Sequence, residues 1–250
     1  MFYKKFHQHV ALFAIATCLQ PIAFSTLAID ALAEGFEPPP NQPAPTVTLG
    51  GGRRSSDGKC PKDRDGQSTD RIAKESIEQR LTPLLPSSHR GFTVLANPTF
   101  FAYVPKTSAI AVEFTLENQL GRGIYQQRVN LTSSPAIISF QLPATTPLEL
   151  GKDYKWLVSV VCETGDPEDT FSEGIVRRIQ LNSALMAQLD KASASDRVSL
   201  YTKFGIWHEA LAELAKLRLS QPGSNELQVT WQNLLKGSGL ESLAKTPLKN

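Results

Sequence analysis

Histidines are the first side chains to weigh for chemistry, because they most often supply the general base of a hydrolase. Only His89 and His208 lie beyond the first 33 residues. His89 stands in the turn-like stretch SSHRG, which favours a solvated side chain. His208 precedes Glu209 in a helical pattern, where adjacent side chains point about 100° apart and cannot act as a pair. We therefore expect no catalytic residues and no enzyme activity.

Acidic side chains form two clusters of interest. The run Asp63-Arg64-Asp65-Gly66 resembles part of a calcium-binding loop, but proline and isoleucine occupy its first and last ligand positions. Residues 166–169 supply Asp166, Glu168 and Asp169 to a predicted hairpin loop. A solvated turn is their ordinary interpretation, and a metal or a basic partner is the functional one. We expect no metal and no cofactor.

Two cysteines, Cys60 and Cys162, lie beyond residue 33. An even number of cysteines in an exported chain favours a disulfide bond. A metal-binding pair and two buried thiols are the alternatives, and the chain lacks the further ligands at suitable spacing that a metal would need. Closing a loop of roughly 100 residues would stabilise the fold by about 4 to 5 kcal/mol at most.

Residues 1–33 have the features of a cleavable signal peptide. Lys4 and Lys5 precede ten uncharged residues, VALFAIATCL, and small residues precede the predicted cleavage point between Ala33 and Glu34. We expect export to the periplasm or the extracellular space, with no membrane span after cleavage. The alternatives are an uncleaved anchor, although polar residues interrupt it, and a lipoprotein modified at Cys18.

Charge and composition divide the rest of the chain. Beyond residue 33 there are 24 lysines and arginines against 23 acids, so no basic excess favours nucleic acid. Residues 34–75 are rich in proline, glycine and charge and nearly free of large apolar groups. Such a segment buries too little surface to offset its ordering entropy. The sequence predicts a disordered or extended linker that Cys60 alone attaches to the folded body.

Residues 90–181 alternate between apolar and polar side chains with a period of two, which predicts six or seven β-strands. One example is the stretch VEFTL at 112–116. The other predicted strands lie near residues 99–103, 125–131, 137–142, 154–162 and 173–181. Their number and spacing are typical of a two-sheet antiparallel sandwich.

Three aromatic residues crowd one short predicted strand: Phe100, Phe101 and Tyr103. Strand alternation directs either Phe100 or Phe101 away from the sandwich core. We expect the C-terminal helices to cover that ring. If they leave it exposed, these aromatics form a candidate binding surface for a peptide or a glycan.

Residues 182–250 change to a helical period and predict three or four short amphipathic helices. The stretch IWHEALAELAKLRLSQP carries apolar residues at helical spacing and ends at Pro222-Gly223. It is reminiscent of one tetratricopeptide unit, but no second copy follows at a 34-residue period. The fold class is therefore α+β, a sandwich of about seven strands followed by a helical bundle.

The order of the predicted strands resembles that of a fibronectin type III or immunoglobulin-like sandwich. NPTFFAYVP stands where that family has its first Pro-x-Phe strand, and LELGKDYKW is similar to its Leu-x-x-Gly-x-x-Tyr-x-Trp stretch. The resemblance implies architecture and almost no function, because this superfold hosts many activities.

The whole chain beyond residue 33 resembles a family of exported cyanobacterial proteins catalogued as domain of unknown function 928. The shared stretches include GGGRR, PTFFAYVP, LPATTPLELGKDYKWLVSVVC, EGIVRRIQL and LYTKFGIWHEALAELAKLRLSQP. The family implies export and fold but carries no known activity, ligand or site residue.

The sequence thus predicts a non-enzymatic module of the periplasm or cell surface. Its sandwich and helices would together present a groove to an envelope protein or a glycan. The alternative is a cell-envelope hydrolase or carbohydrate-binding accessory that uses acids such as Asp166 and Glu168.

Overall fold

The computed structural model describes residues 36, 38–47, 59–63, 76–163 and 167–249, without the side chains of 167–170. Within this part of the chain, nine strands form two sheets and four helices follow the main strands. The mixed α+β class is confirmed. The division into a linker, a sandwich and a helical region with the predicted boundaries stays a prediction.

The larger sheet has the strand order β2-β8-β7-β4-β5. These strands are β2 (Arg90–Thr93), β4 (Ala111–Glu117), β5 (Gly123–Asn130), β7 (Asp153–Val161) and β8 (Pro167–Arg178). The alternation that predicted β4 sets its two faces, because Val112, Phe114 and Leu116 are fully buried while Thr115 is not. Paired registers such as Phe114 with Val158 carry this buried face into β7.

The smaller sheet has the order β1-β3-β6-β9. It consists of β1 (Thr82–Pro83), β3 (Thr99–Val104), β6 (Ala136–Gln141) and β9 (Leu248–Lys249). Aromatic rings join the two sheets: Phe100 lies 5.1 Å from Trp156, and Phe140 stacks on Phe114 at 5.2 Å, both between ring centroids. Such contacts add to the burial of large apolar surface.

The prediction of a purely antiparallel sandwich is wrong. β2 pairs in parallel with β8, and β9 pairs in parallel with β6, so both sheets are mixed and the sandwich is not closed. Alternation located the six longer strands, but β1, β2 and β9 have only two to four residues each. So short a segment shows no period, and its pairing depends on distant parts of the chain.

Four helices follow β8: α1 (Ser183–Lys191), α2 (Ala194–Lys203), α3 (Trp207–Ser220) and α4 (Asn225–Lys236). Three begin at polar caps, where the side chains of Asn182, Ser193 and Ser224 accept backbone N–H groups of the first turn. Helices α2 to α4 share one apolar core with the sheets, which includes Trp207 and Trp231 together with the aromatic rings between the sheets. Leu185 and Leu189 of α1 pack with Ile206 in a second, smaller cluster.

Cys60 and Cys162 form a disulfide bond, with their Cα atoms 5.8 Å apart. Beside it, a short 3₁₀ helix (Pro61–Asp63) docks on the loop before β4. Asp63 accepts hydrogen bonds from the backbone N–H of Ser108 (2.8 Å) and the hydroxyl of Thr107 (3.0 Å). Although burial alone would raise it, these bonds lower the pKa of the Asp63 carboxyl. The segment around Cys60 is thus held by the disulfide and by these hydrogen bonds to Thr107 and Ser108.

The expectation that Cys60 alone attaches the proline-rich segment is wrong. Residues 36 and 38–47, called the strap below, also contact the body through two anchors. At one, the backbone N–H of Phe36 donates to Gly237 O (3.1 Å). At the other, Thr46 donates two hydrogen bonds to the Asp153 carboxylate, at 2.7 and 3.0 Å. Composition could not show this, because the contacts depend on single residues.

Candidate binding groove

Helix α3 begins where the two sheets meet at the β2 edge. The indole of Trp207, its first residue, is fully buried and donates to the carbonyl oxygen of Leu84 (2.7 Å). The ring of Phe36 packs edge-on against this indole, with the centroids 4.8 Å apart. These contacts tie the start of the helix to the chain before β2 and to the strap.

The second residue of α3, His208, is buried, and its ring packs against Phe100 in the core. Its ring lies 5.0 Å from Phe100, and Nδ1 lies 3.3 Å from the carbonyl oxygen of Thr99. The other nitrogen, Nε2, has no hydrogen-bond partner and abuts Gly91, where an added Cβ would lie 2.4 Å away. Burial lowers the pKa of His208 to about 4, so the ring is neutral at physiological pH.

The third residue, Glu209, joins α3 to β2. Its Oε1 accepts a short hydrogen bond from the Thr93 hydroxyl and a longer one from the N–H of Leu95 (3.4 Å). Its Oε2 is buried without a hydrogen-bond partner. Burial raises the pKa of Glu209 to about 7, against the opposing effect of these hydrogen bonds. His208 and Glu209 thus fix the helix through different contacts and do not pair with each other.

Fixed in this way, the second half of α3 runs beside the outer face of the smaller sheet and leaves a groove of about 540 Å³. Residues at helical spacing form its wall and residues of β3 and β6 form its floor. The lining residues are Thr99, Phe101, Ser139, Ala212, Glu213, Ala215, Lys216, Leu219 and Ser220. The floor thus combines the Phe101 ring with two hydroxyl groups, and the wall combines apolar and charged side chains, a mixture that binding sites use for burial and specificity.

The predicted aromatic surface divides between two faces of β3. Phe100 points into the core between the sheets, where its ring meets Phe114 and Trp156. Phe101 points outward and is 6% exposed at the base of the groove. Tyr103 is buried, and its hydroxyl donates to Glu78 O (2.7 Å). These burials exclude one exposed platform made from all three rings, and the binding role of Phe101 stays a prediction.

The family model described as Domain of Unknown Function (DUF928) matches residues 50–248. The chain belongs to the DUF928 family. No curated protein matches its sequence. A solved structure that it resembles weakly is Astrotactin-2, a conserved vertebrate-specific and perforin-like membrane protein involved in neuronal development. That match has 13% identity and a TM-score of 0.23, covers 66% of this chain and 38% of that one, and carries no argument about function.

The structure of this DUF928 domain describes only some of the other residues that the sequence analysis weighed. His89 is exposed in a turn with a positive φ of 55°. Asp166, Ala33 and Glu34 lie outside the described residues, as do the side chains of Glu168 and Asp169. Within the described ranges, no three His, Cys, Asp or Glu side chains are placed to hold a metal ion. None of the helices described is long and apolar enough to cross a membrane.

One polar cluster of this DUF928 domain escaped the sequence analysis. The fully buried Asp153 carboxylate accepts hydrogen bonds from Arg90 (2.9 Å), Arg177 (3.0 Å) and Thr46. Arg90 also donates to Pro43 O (2.8 Å), so the cluster anchors the strap to β2. Asp153 has the opposite strand parity to the core-facing Trp156, so alternation gives no sign of its burial. The signal that could have found the cluster is Arg177-Arg178, two adjacent cations on a predicted strand, which can pair with acids of a neighbouring strand or protect an edge.

Proposed function

We propose that this DUF928 protein is an exported, non-enzymatic interaction module whose groove receives a segment of an envelope protein. The observation that carries the proposal is the groove itself. It joins the apolar side chains of Phe101 and Leu219 to the charged Glu213 and Lys216 on one helical face. Leu219 is 47% exposed, so its side chain is accessible to a segment bound in the groove.

The buried polar residues support a binding role over a catalytic one. His208 and Glu209 are the described groups whose pKa values are most displaced, and such groups often mark active sites. Here both are enclosed in the contact of α3 with the sheets and are absent from the groove lining. They position the wall of the groove. No observation on the described residues favours the alternative of a hydrolase or carbohydrate-binding accessory.

Export and origin belong to the same proposal. Support comes from the signal-like residues 1–33, from the resemblance to exported cyanobacterial proteins, and from the Cys60–Cys162 disulfide, since such bonds persist in oxidising compartments. We also propose a fibronectin-like relationship for the sandwich. Its support is the strand order, with β1-β3-β6 on one sheet and β8-β7-β4-β5 on the other.

Site-specific photocrosslinking tests the groove. A benzophenone side chain would replace Leu219 in one variant and Leu150 in a matched control, since Leu150 is 51% exposed and lies outside the groove. We expect a discrete product with one envelope protein from the Leu219 variant alone. A second-site Ala212→Arg substitution, which fills the groove, should abolish that product.

Equal products from both variants, or a product that survives Ala212→Arg, would show that the groove is not the binding site. Export is tested separately by mass spectrometry of the protein recovered from the host periplasm. An intact residue 33–34 bond would refute cleavage there, and a lipid on Cys18 would indicate the lipoprotein alternative.

A further inference from the structure

The last turns of α3 carry two cations for which the described part of the chain supplies no carboxylate partner. Lys216 is exposed on the groove side of the helix. Arg218 is half-buried on the α4 side, where its Cζ lies 4.7 Å from the ring centroid of Trp231 and its Nη2 donates to Gln228 Oε1 (2.8 Å). Its Nη1 is buried without an acceptor. The Arg218 guanidinium is thus held in place but keeps an uncompensated charge.

Acids on the neighbouring turns are engaged elsewhere. Glu213, one turn before Lys216 on the groove wall, pairs with Arg197 of α2 at 3.6 Å. Glu226, in the first turn of α4, lines a separate cleft towards α2. Burial lowers the pKa of Arg218, and no described acid opposes this effect. The C-terminal end of α3 therefore carries a net positive charge.

A small pocket of about 160 Å³ adjoins the groove beside Arg218. The pocket and the groove share Leu219, whose side chain is exposed between them. Around the helix axis, Lys216, Leu219 and Arg218 follow one another in this order, since successive residues turn by about 100°. A segment that lies across Leu219 therefore has a cation on either side. Among the described residues that line the pocket, Arg218 alone is charged, and the others are Leu219, Gln221, Pro222, Ser224, Gln228 and Leu248.

We propose that the segment bound in the groove is acidic. An apolar side chain of this segment packs on Leu219, a carboxylate on one side of it enters the small pocket and pairs with Arg218, and a second carboxylate reaches Lys216. This inference rests on the proposed function and names the chemistry of the partner. A carboxylate matches the pocket better than a phosphoryl group, because the pocket presents one cation and a phosphoryl group carries a charge of about −2. The groove supplies apolar burial, and the two cations select acidic segments among apolar ones.

Titrations of the purified, ¹⁵N-labelled protein with two synthetic peptides test the inference. One peptide is acetyl-GSEDFDESG-amide, and the other is its neutral counterpart, acetyl-GSQNFNQSG-amide, in which side-chain amides replace the carboxylates. We expect the acidic peptide to shift the backbone amides of residues 212–220 and 224–228 saturably at concentrations up to about 1 mM. The neutral peptide should bind about five-fold more weakly or worse, because it has the same shape without the charges.

Substitutions of the two cations separate their contributions. Arg218→Gln should weaken binding of the acidic peptide about five-fold, which is about 1 kcal/mol at 1.4 kcal/mol per tenfold, and should leave binding of the neutral peptide unchanged. Arg218→Lys keeps the charge and should restore part of that affinity. Lys216→Gln should have a smaller effect, about two-fold, because this side chain is exposed. The matched control is Lys191→Gln, which removes one exposed charge at the end of α1, outside both sets of lining residues, and should leave binding unchanged.

Equal affinity for the two peptides would overturn the acidic partner while leaving the groove as a binding site. Arg218→Gln and Arg218→Lys proteins that both bind the acidic peptide as tightly as the unsubstituted protein would overturn the assignment of the small pocket in the same way. If neither peptide shifts the amides of the groove, the result counts against the proposed function as well as against its acidic partner. The two failures are therefore distinguishable.

Discussion

His208 and Glu209 should make opposite contributions to the pH dependence of stability, and separating them tests the environment of α3. The pKa of His208 is lowered from 6.5 to about 4 by burial, so its contribution is complete above pH 6.5 and is lost as the pH falls towards 4. The pKa of Glu209 is raised from 4.5 to about 7 by burial, so its contribution is complete below pH 4.5 and is lost as the pH rises towards 7.

The two windows overlap between pH 4.5 and 6.5. There the unfolded chain holds one proton on the histidine, and the folded protein holds one on the carboxyl of Glu209. Unfolding therefore takes up no net proton at this pair, and the two slopes, each about 1.4 kcal/mol per pH unit, cancel. In Glu209→Gln only the histidine slope remains. Because an amide oxygen still accepts the bond from Thr93, the change acts mainly by removing the titrating group.

The free energy of unfolding of Glu209→Gln, relative to the unsubstituted protein, should rise by about 2 kcal/mol from pH 4.5 to 6.5, because the slope is not fully developed at the two ends of this range. Urea titrations at several pH values give this difference, in which all other titrating groups cancel. His208→Gln should show the opposite trend over the same range. Parallel stability curves for Glu209→Gln and the unsubstituted protein would refute the reasoning, since they would mean that the carboxyl is solvated or paired with a cation.

Three further substitutions test the contacts around α3, the disulfide and the strap. Gly91→Ala places a methyl group against the histidine ring and should lower the free energy of unfolding by about 2 kcal/mol in urea titrations, whereas Gly223→Ala, which meets nothing within 4 Å, should have little effect. In the double variant Cys60→Ser/Cys162→Ser, the free energy of unfolding should fall by up to about 4 kcal/mol, measured as a lower urea midpoint. Thr46→Val should lower the free energy of unfolding by about 1 kcal/mol or more, because it removes a hydrogen bond to Asp153. The same change should speed proteolysis within residues 38–47. An unchanged cleavage rate would show that other contacts hold the strap.

Local sequence signals were sufficient for the longer elements. β4 and β7 each bury one set of alternating side chains, and this periodicity survives because their pairing covers many residues. The helices could be predicted equally well, because a polar cap such as Ser193 or a stop such as Pro222-Gly223 determines a helix end through residues within one turn of it. The parallel pairings of β2 and β9 could not be predicted, since such short strands acquire their partners only from the completed fold.

The groove could be predicted only in part, for the same physical reason. Crowding of aromatics on β3 identified Phe101, because alternation forces one ring outward wherever the strand lies. The opposite wall depends on where α3 starts relative to the sheets. That position is set by contacts such as the bond from Thr93 to Glu209, which joins residues 116 positions apart. No local pattern encodes such a bond, and a helix shifted by one residue would turn Lys216 and Leu219 by about 100° and remove them from the groove. The buried carboxyl therefore shapes the groove only through the position of α3, so Glu209→Gln should preserve the groove while a substitution that breaks the bond to Thr93 should not.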